Sequence, residues 1–116
     1  MLDDDESVLL SLHRTLRSAY TVVALTDARD ALVRIVAGER FDVILCDVTM
    51  PAMSGIDFYR SLHTADPVLA ARVVFMTGGA FTADVDAFLE AVPNVSARKP
   101  FSSESLRAII RSLMAS

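Results

Sequence analysis

A chain of 116 residues that is 53% hydrophobic and 22% charged is long enough to bury one core and too short for two, which predicts a single domain over 1–116. Four Gly and four Pro exclude a fibrous or low-complexity chain, no apolar run approaches the ~20 residues that cross a bilayer, and the acidic start is unlike a secretion signal. The lone Cys46 closes no internal disulfide and suits a reducing cytoplasm, while a net charge of −4 argues against direct nucleic-acid binding and no segment favours membrane contact.

Along the chain the hydrophobic period alternates between helical and strand-like. Leu9, Leu12 and Leu16 follow the acidic run Asp3, Asp4, Asp5 and Glu6 and predict a helix over about 7–18, with the acids at its positive end. Residues 21–25 read as a short strand. Ala28, Ala31, Leu32, Ile35 and Val36 return to helical spacing before Gly38, a glycine placed as a helix stop. Val43, Ile44, Leu45 and Cys46 form a continuous apolar run, the pattern of a strand covered on both faces. Pro51 and Gly55 interrupt the chain, and Ile56, Tyr59 and Leu62 mark a third helix. Val73 to Met76 reads as a second buried strand ending at Gly78 and Gly79. A helix from near Thr82 through Val85, Phe88 and Leu89, a short strand from Val95 to Arg98, and an amphipathic helix on Leu106, Ile109, Ile110 and Leu113 complete the order. Buried strands alternating with helices predict an α/β fold with a doubly wound parallel sheet, because parallel neighbours need crossover connections.

In such a sheet ligands bind beyond the carboxyl ends of the strands. The polar residues there are Asp3 and Asp4 after Leu2, Asp47, Thr77 and Lys99. Three converging carboxylates repel one another, and a hard divalent cation such as Mg2+, which prefers oxygen ligands and phosphate, resolves the repulsion. Thr77 can donate its hydroxyl to a phosphoryl oxygen, Lys99 offers a compact charge for another, and Gly78 keeps the backbone approach open. Of the 11 cations ten are Arg and only Lys99 is Lys. A crowded phosphoryl site that admits an ammonium but not a guanidinium gives this lysine a reason to persist.

The constellation resembles the receiver domain of two-component response regulators across nearly the whole chain. The matching pieces are Asp3-Asp4, the stretch Asp47-Val48-Thr49-Met50-Pro51 followed by Met53-Ser54-Gly55, Met76-Thr77-Gly78, and Lys99-Pro100-Phe101. The resemblance implies a flavodoxin-like strand order 2-1-3-4-5 and a phosphoacceptor Asp47 that takes a phosphoryl group from the phosphohistidine of a histidine kinase or phosphotransfer domain. It further implies Mg2+ held by Asp4, Asp47 and the Thr49 carbonyl, with Asp3 acting through water, and Thr77 and Lys99 on the phosphoryl group. A cis Lys99-Pro100 bond would aim the lysine inward. Met76-Thr77-Gly78-Gly79-Ala80-Phe81 and the Pro93-Asn94 connection look most like receivers attached to hybrid sensor kinases. A histidine kinase is then the parent or partner, with a second copy of the chain as a further candidate partner.

Two departures stand out. Receivers begin with an apolar strand, of which only Met1 and Leu2 are present here, so most of a central strand is missing and an apolar gap is expected. The family's aromatic residue three positions before the site lysine is Ser96 here, which cannot act as an aromatic rotamer switch. His13 and His63, far apart in the pattern, are expected at the surface. A receiver-like interaction module without phosphorylation is the alternative reading. A haloacid-dehalogenase-type phosphatase is a weaker one, because Thr49 stands where that family carries a second Asp and there is no room for a cap domain.

Overall fold

A computed structural model of the chain describes residues 1–50, 53–78, 82–99 and 102–115. The expectations at Pro51, Gly79, Ala80, Phe81, Pro100 and Phe101, including the conformation of the Lys99-Pro100 bond, fall outside these residues. The elements run α1 (Glu6–Leu16), α2 (Ala28–Val36), β1 (Ile44–Asp47), α3 (Gly55–Ala65), α4 (Pro67–Ala70), β2 (Val73–Thr77), α5 (Ala83–Ala91), β3 (Ser96–Arg98) and α6 (Ser103–Met114). β1, β2 and β3 form a parallel sheet in that order. Leu2 makes parallel bridges to Cys46 on one side and Leu25 on the other. Across the sheet the segments therefore follow one another as Leu25, Leu2, β1, β2 and β3, which is the order 2-1-3-4-5.

The continuous apolar runs are explained by layers on both faces. Side chains alternate along a strand, so Ile44, Cys46, Val48, Val73 and Phe75 join a cluster with Ala28, Ala31, Phe58, Leu62, Val85 and Phe88 from α2, α3 and α5. Leu45, Val74, Met76 and Ala97 face the other way, onto Leu12 and Leu16 of α1 and Leu106 and Ile110 of α6. The rings of Tyr59, Phe75 and Phe88 pack edge to face with centroids 5.3–5.6 Å apart, the arrangement their quadrupoles favour. Cys46 is fully buried, as expected of a thiol used as a small hydrophobe.

Local chemistry sets the ends of the helices. Asp5 caps α1, its carboxylate accepting from the Ser7 N–H at 2.9 Å and the Ser7 hydroxyl at 2.6 Å. α1 stops at Leu16, two residues before the expected end. After α2, the Gly38 N–H donates to the Ile35 carbonyl and the Glu39 N–H to the Arg34 carbonyl, both at 3.0 Å. With Gly38 at φ +104°, this is the 6→1 and 5→2 pair of a Schellman stop.

Residues 21–25 do not form the expected strand: only Leu25 pairs, through the single bridge to Leu2. A strand needs a neighbour over its length, and Met1 and Leu2 provide too little of one. The one-turn helix α4 was not expected from apolar spacing. Asp66 accepts from the Leu69 N–H at 3.1 Å and Pro67 occupies the first turn, a cap and a pre-set φ that nucleate a turn without an apolar stripe. Among the described residues no helix is long and apolar enough to cross a membrane.

Candidate functional site

The parallel direction brings four chain segments to one edge of the sheet. Asp3 follows the Leu2 bridge, Asp47 closes β1, Thr77 closes β2 and Lys99 follows β3. Carboxylate oxygens of Asp3, Asp4 and Asp47 lie within 4.8 Å of one another. Asp3 is fully buried and Asp47 nearly so, whereas Asp4 is exposed.

Each carboxylate is oriented by its surroundings. Asp3 accepts the Asp5 N–H at 2.9 Å on one oxygen and the Lys99 ammonium at 2.7 Å on the other. Asp47 accepts the Thr49 N–H at 3.2 Å, and its second oxygen lies 3.6 Å from the Lys99 nitrogen. Asp5 does not join the cluster, because its carboxylate is committed to capping α1. The acidic group therefore uses Asp3 and Asp4, although the three consecutive aspartates allow another register.

The electrostatics follow from crowding. Burial, and next the neighbouring Asp3 carboxylate, push Asp47 up to about 6 against the opposing pull of Lys99 and the Thr49 N–H. For Lys99, burial favours the neutral form, but the hydrogen bond to Asp3 and the charge of Asp47 outweigh it and raise the ammonium above its ordinary value. Two buried carboxylates share one ammonium here, so the cluster remains electron-rich and suits a hard cation with oxygen ligands. The exposed Asp4 borders a depression of about 680 Å³ that continues along Asp5, Glu6, Ser7, Thr26, Asp27 and Arg29.

Thr77 is buried at the end of β2, its hydroxyl 3.4 Å from the Ala97 carbonyl. That long contact leaves the hydroxyl able to turn toward a ligand. Gly78 is exposed, and a Cβ there would sit 3.3 Å from the Lys99 side chain. The Lys99 N–H donates to the Thr77 carbonyl at 2.6 Å, which ties the two segments together. Ser96 is exposed on β3, His63 is exposed on α3 and His13 is partly buried on α1. Neither histidine is in the acidic group.

One residue at the site has a role that motif reading alone did not reveal. A Cβ on Gly55 would lie 2.3 Å from the Asp47 carbonyl oxygen and 2.9 Å from Val48 Cα, and the Gly55 N–H donates to the Val48 carbonyl at 2.9 Å. The start of α3 thus rests directly on the backbone that carries Asp47. Its sequence signal is a glycine at the first position of a helix, where nothing in helix propensity asks for one.

Comparison with known proteins places this geometry in context. The family model described as response regulator receiver domain matches residues 1–111. The response regulator MprA of Mycolicibacterium vanbaalenii is 32% identical over 115 residues, which is 98% of this chain and 48% of that protein. The chain thus spans about half the length of the curated relatives it matches. Among solved structures, the signal receiver domain of a signal transduction histidine kinase from Syntrophus aciditrophicus has a TM-score of 0.82 at 27% identity, covering 98% of this chain and 86% of that one. The receiver domain of a sensor histidine kinase from Pseudomonas aeruginosa, described with a magnesium ion coordinated in its active site cleft, has a TM-score of 0.83 at 26% identity and covers 99% and 94%.

Proposed function

The chain belongs to the response regulator receiver domain family of two-component signalling, and from that premise we propose that Asp47 accepts a phosphoryl group from a phosphohistidine with Mg2+ as cofactor. The observation that carries the reading is the convergence of Asp3, Asp4 and Asp47 within 4.8 Å, with the Lys99 ammonium against two of them. The donor is a histidine kinase or histidine phosphotransfer domain, and the reaction belongs in the cytoplasm, where such donors are phosphorylated.

An Asp47 carboxylate oxygen attacks phosphorus while the P–N bond to the donor imidazole breaks. The imidazole leaves with the electron pair and takes up a proton, and an acyl phosphate remains on Asp47. Asp4, Asp47 and the Thr49 carbonyl would hold Mg2+, with Asp3 acting through water. Bound there, the ion neutralises charge on the phosphoryl oxygens. Thr77 and Lys99 supply the protein's own donors to those oxygens. Lys99 must partly release Asp47 to reach them, and its shorter bond to the buried Asp3 keeps the ammonium anchored at the site. Gly78 leaves the approach clear of side chain.

The test is incubation with Mg2+ and acetyl phosphate, or with beryllium fluoride as a mimic, beside Asp47→Asn. An acid-stable, alkali-labile label on the wild type alone supports the reading. Absence of label together with no Mg2+-dependent response to beryllium fluoride defeats it and leaves a receiver-like interaction module.

A further inference from the structure

Asp5 is the residue through which α1 meets the acidic group, and its N–H, carbonyl and carboxylate each have a partner. The N–H donates to one oxygen of Asp3 at 2.9 Å. The carbonyl accepts the Leu9 N–H at 3.2 Å, which opens the hydrogen bonding of α1. The carboxylate accepts both donors of Ser7, the N–H at 2.9 Å and the hydroxyl at 2.6 Å. The last is the length of a charge-assisted O–H···O bond. One group of Asp5 thus serves the site, and the other two bind it to the helix.

An aspartate that accepts the N–H two residues on makes an Asx turn, and Asp3 and Asp5 make two in succession. Asp4 is the middle residue of the first, so the turn that orients Asp3 also sets the direction of Asp4, whose exposed carboxylate supplies an oxygen to the acidic group. The second turn starts α1 and holds Asp5 extended, with φ −88° and ψ 105°. The helix is fixed in its turn by Leu12 and Leu16, buried in one cluster with Leu106 and Ile110 of α6. Each oxygen of Asp3 has one donor: the Lys99 ammonium on one and the Asp5 N–H on the other. The ammonium rides on a flexible stem, whereas the N–H belongs to backbone that α1 holds in place.

We propose that Asp5 is a positioning residue for the acceptor site: its cap on α1 holds the N–H that orients Asp3 and the turn that presents Asp4, and its carboxylate is not a metal ligand. The proposal rests on the reading of Asp3, Asp4 and Asp47 as the Mg2+ group of a phosphoryl acceptor. Hydrogen bonds to ligating carboxylates govern metal affinity, and here that control runs through a helix cap. Asn caps a helix as well as Asp and makes the same turn without the charge, whereas Ala does neither. Geometry and charge are therefore separable at this position.

The test compares Asp5→Asn, Asp5→Ala and Asp66→Ala, the last removing the cap of α4 at the start of β2, the opposite end of that strand from Thr77. Protection of the position 5 amide from exchange, measured in chelator, reads the bond to Asp3, and calorimetric titration with Mg2+ reads the site. Asp5→Ala should lower that protection about tenfold and weaken Mg2+ binding about tenfold. Asp5→Asn should stay within about threefold of wild type in both, because the charge it removes is exposed and screened. Asp66→Ala should change neither. Ser7→Ala keeps the backbone donor and loses the hydroxyl, so it should fall between the two Asp5 variants, and it replaces Asp5→Ala if that variant does not fold. Asp5→Asn as impaired as Asp5→Ala overturns the proposal, since the carboxylate would then act by charge or as a ligand. So do unchanged protection and affinity in Asp5→Ala, or an equal loss of affinity in Asp66→Ala. A wild type that binds no Mg2+ defeats the acceptor reading instead, and the protection measured without metal still decides whether the cap of α1 orients Asp3.

Discussion

The Lys99 ammonium stands 2.7 Å from an oxygen of Asp3 and 3.6 Å from an oxygen of Asp47, so one cation balances two carboxylates from distant parts of the chain. Asp3 is 1% exposed and Lys99 24% exposed at the side chain, and removing the cation leaves a desolvated charge without compensation. Lys99→Met should therefore destabilise the metal-free protein by about 2–3 kcal/mol, somewhat below the ~3–5 kcal/mol for breaking a fully buried pair. Denaturant unfolding in chelator measures it. Adding Asp3→Asn to Lys99→Met should recover most of the loss, and a double variant no more stable than the single one would refute the pairing.

The raised Asp47 makes a second prediction, with a definite sign. Its carboxyl lies near 3.8 when unfolded and at about 6 when folded, so between these values the folded state binds more protons. Stability contributed by this group is fully present below pH 4 and is lost as pH rises through 6. In chelator, Asp47→Asn should be more stable than wild type at pH 7, with the difference shrinking toward pH 4. A bound cation favours the carboxylate, so Mg2+ should move the pH midpoint of phosphoryl acceptance downward. Matching unfolding curves for wild type and Asp47→Asn from pH 4 to 7 would contradict the shift.

How much of this was legible in the sequence depends on where the cause of each feature lies. β1 and β2 were visible because both faces are covered, which leaves an unbroken apolar run. Asp47 and Thr77 were visible because each ends such a run, whereas Lys99 follows the short and mostly exposed Ser96–Arg98 and was visible as the single lysine among ten arginines. Residues 21–25 have the composition of a strand, but pairing depends on a neighbour that local composition does not describe. α4 rests on Asp66 and Pro67 rather than on periodicity. Asn94 was also silent: its amide donates to the Ala70 and Val73 carbonyls at 2.8 Å each, stitching the end of α4 to β2. Nothing about a loop asparagine announces two acceptors more than 20 residues away. The roles of Asp3, Asp4 and Asp5 separated only when the cap of α1 was seen to use Asp5.

Gly38 isolates a backbone requirement from any contact. Its φ of +104° is a conformation that side chains resist, yet nothing lies within 4 Å of where a Cβ would be. Gly38→Ala should cost about 1–2 kcal/mol through backbone strain alone. Because Gly38 lies between α2 and the start of β1, whereas Asp47 closes that strand at its other end, phosphoryl acceptance per folded molecule should be unchanged. Thermal unfolding and labelling from acetyl phosphate on the same samples separate the two quantities. An unaltered Tm would show that the turn accommodates alanine by relaxing.

Gly55 makes the opposite case, in which the contact rather than the dihedral is decisive. Its Cβ would fall 2.3 Å from the Asp47 carbonyl oxygen, and both partners are backbone, so neither can swing aside as a side chain would. Gly55→Ala must push α3 away from β1 or displace the segment from Asp47 to Thr49. Overpacking of this kind costs about 1–3 kcal/mol. The displaced segment carries both the Asp47 carboxylate and the Thr49 carbonyl. Mg2+ affinity should therefore fall at least tenfold at temperatures where the variant remains folded, while Gly38→Ala, of similar stability cost, retains wild-type affinity. Titration of Mg2+ by isothermal calorimetry on the two variants at matched folded fraction decides the question. Equal affinities would mean that α3 yields and the Asp47 backbone does not move, and Gly55 would then be a packing residue without a part in positioning the acceptor.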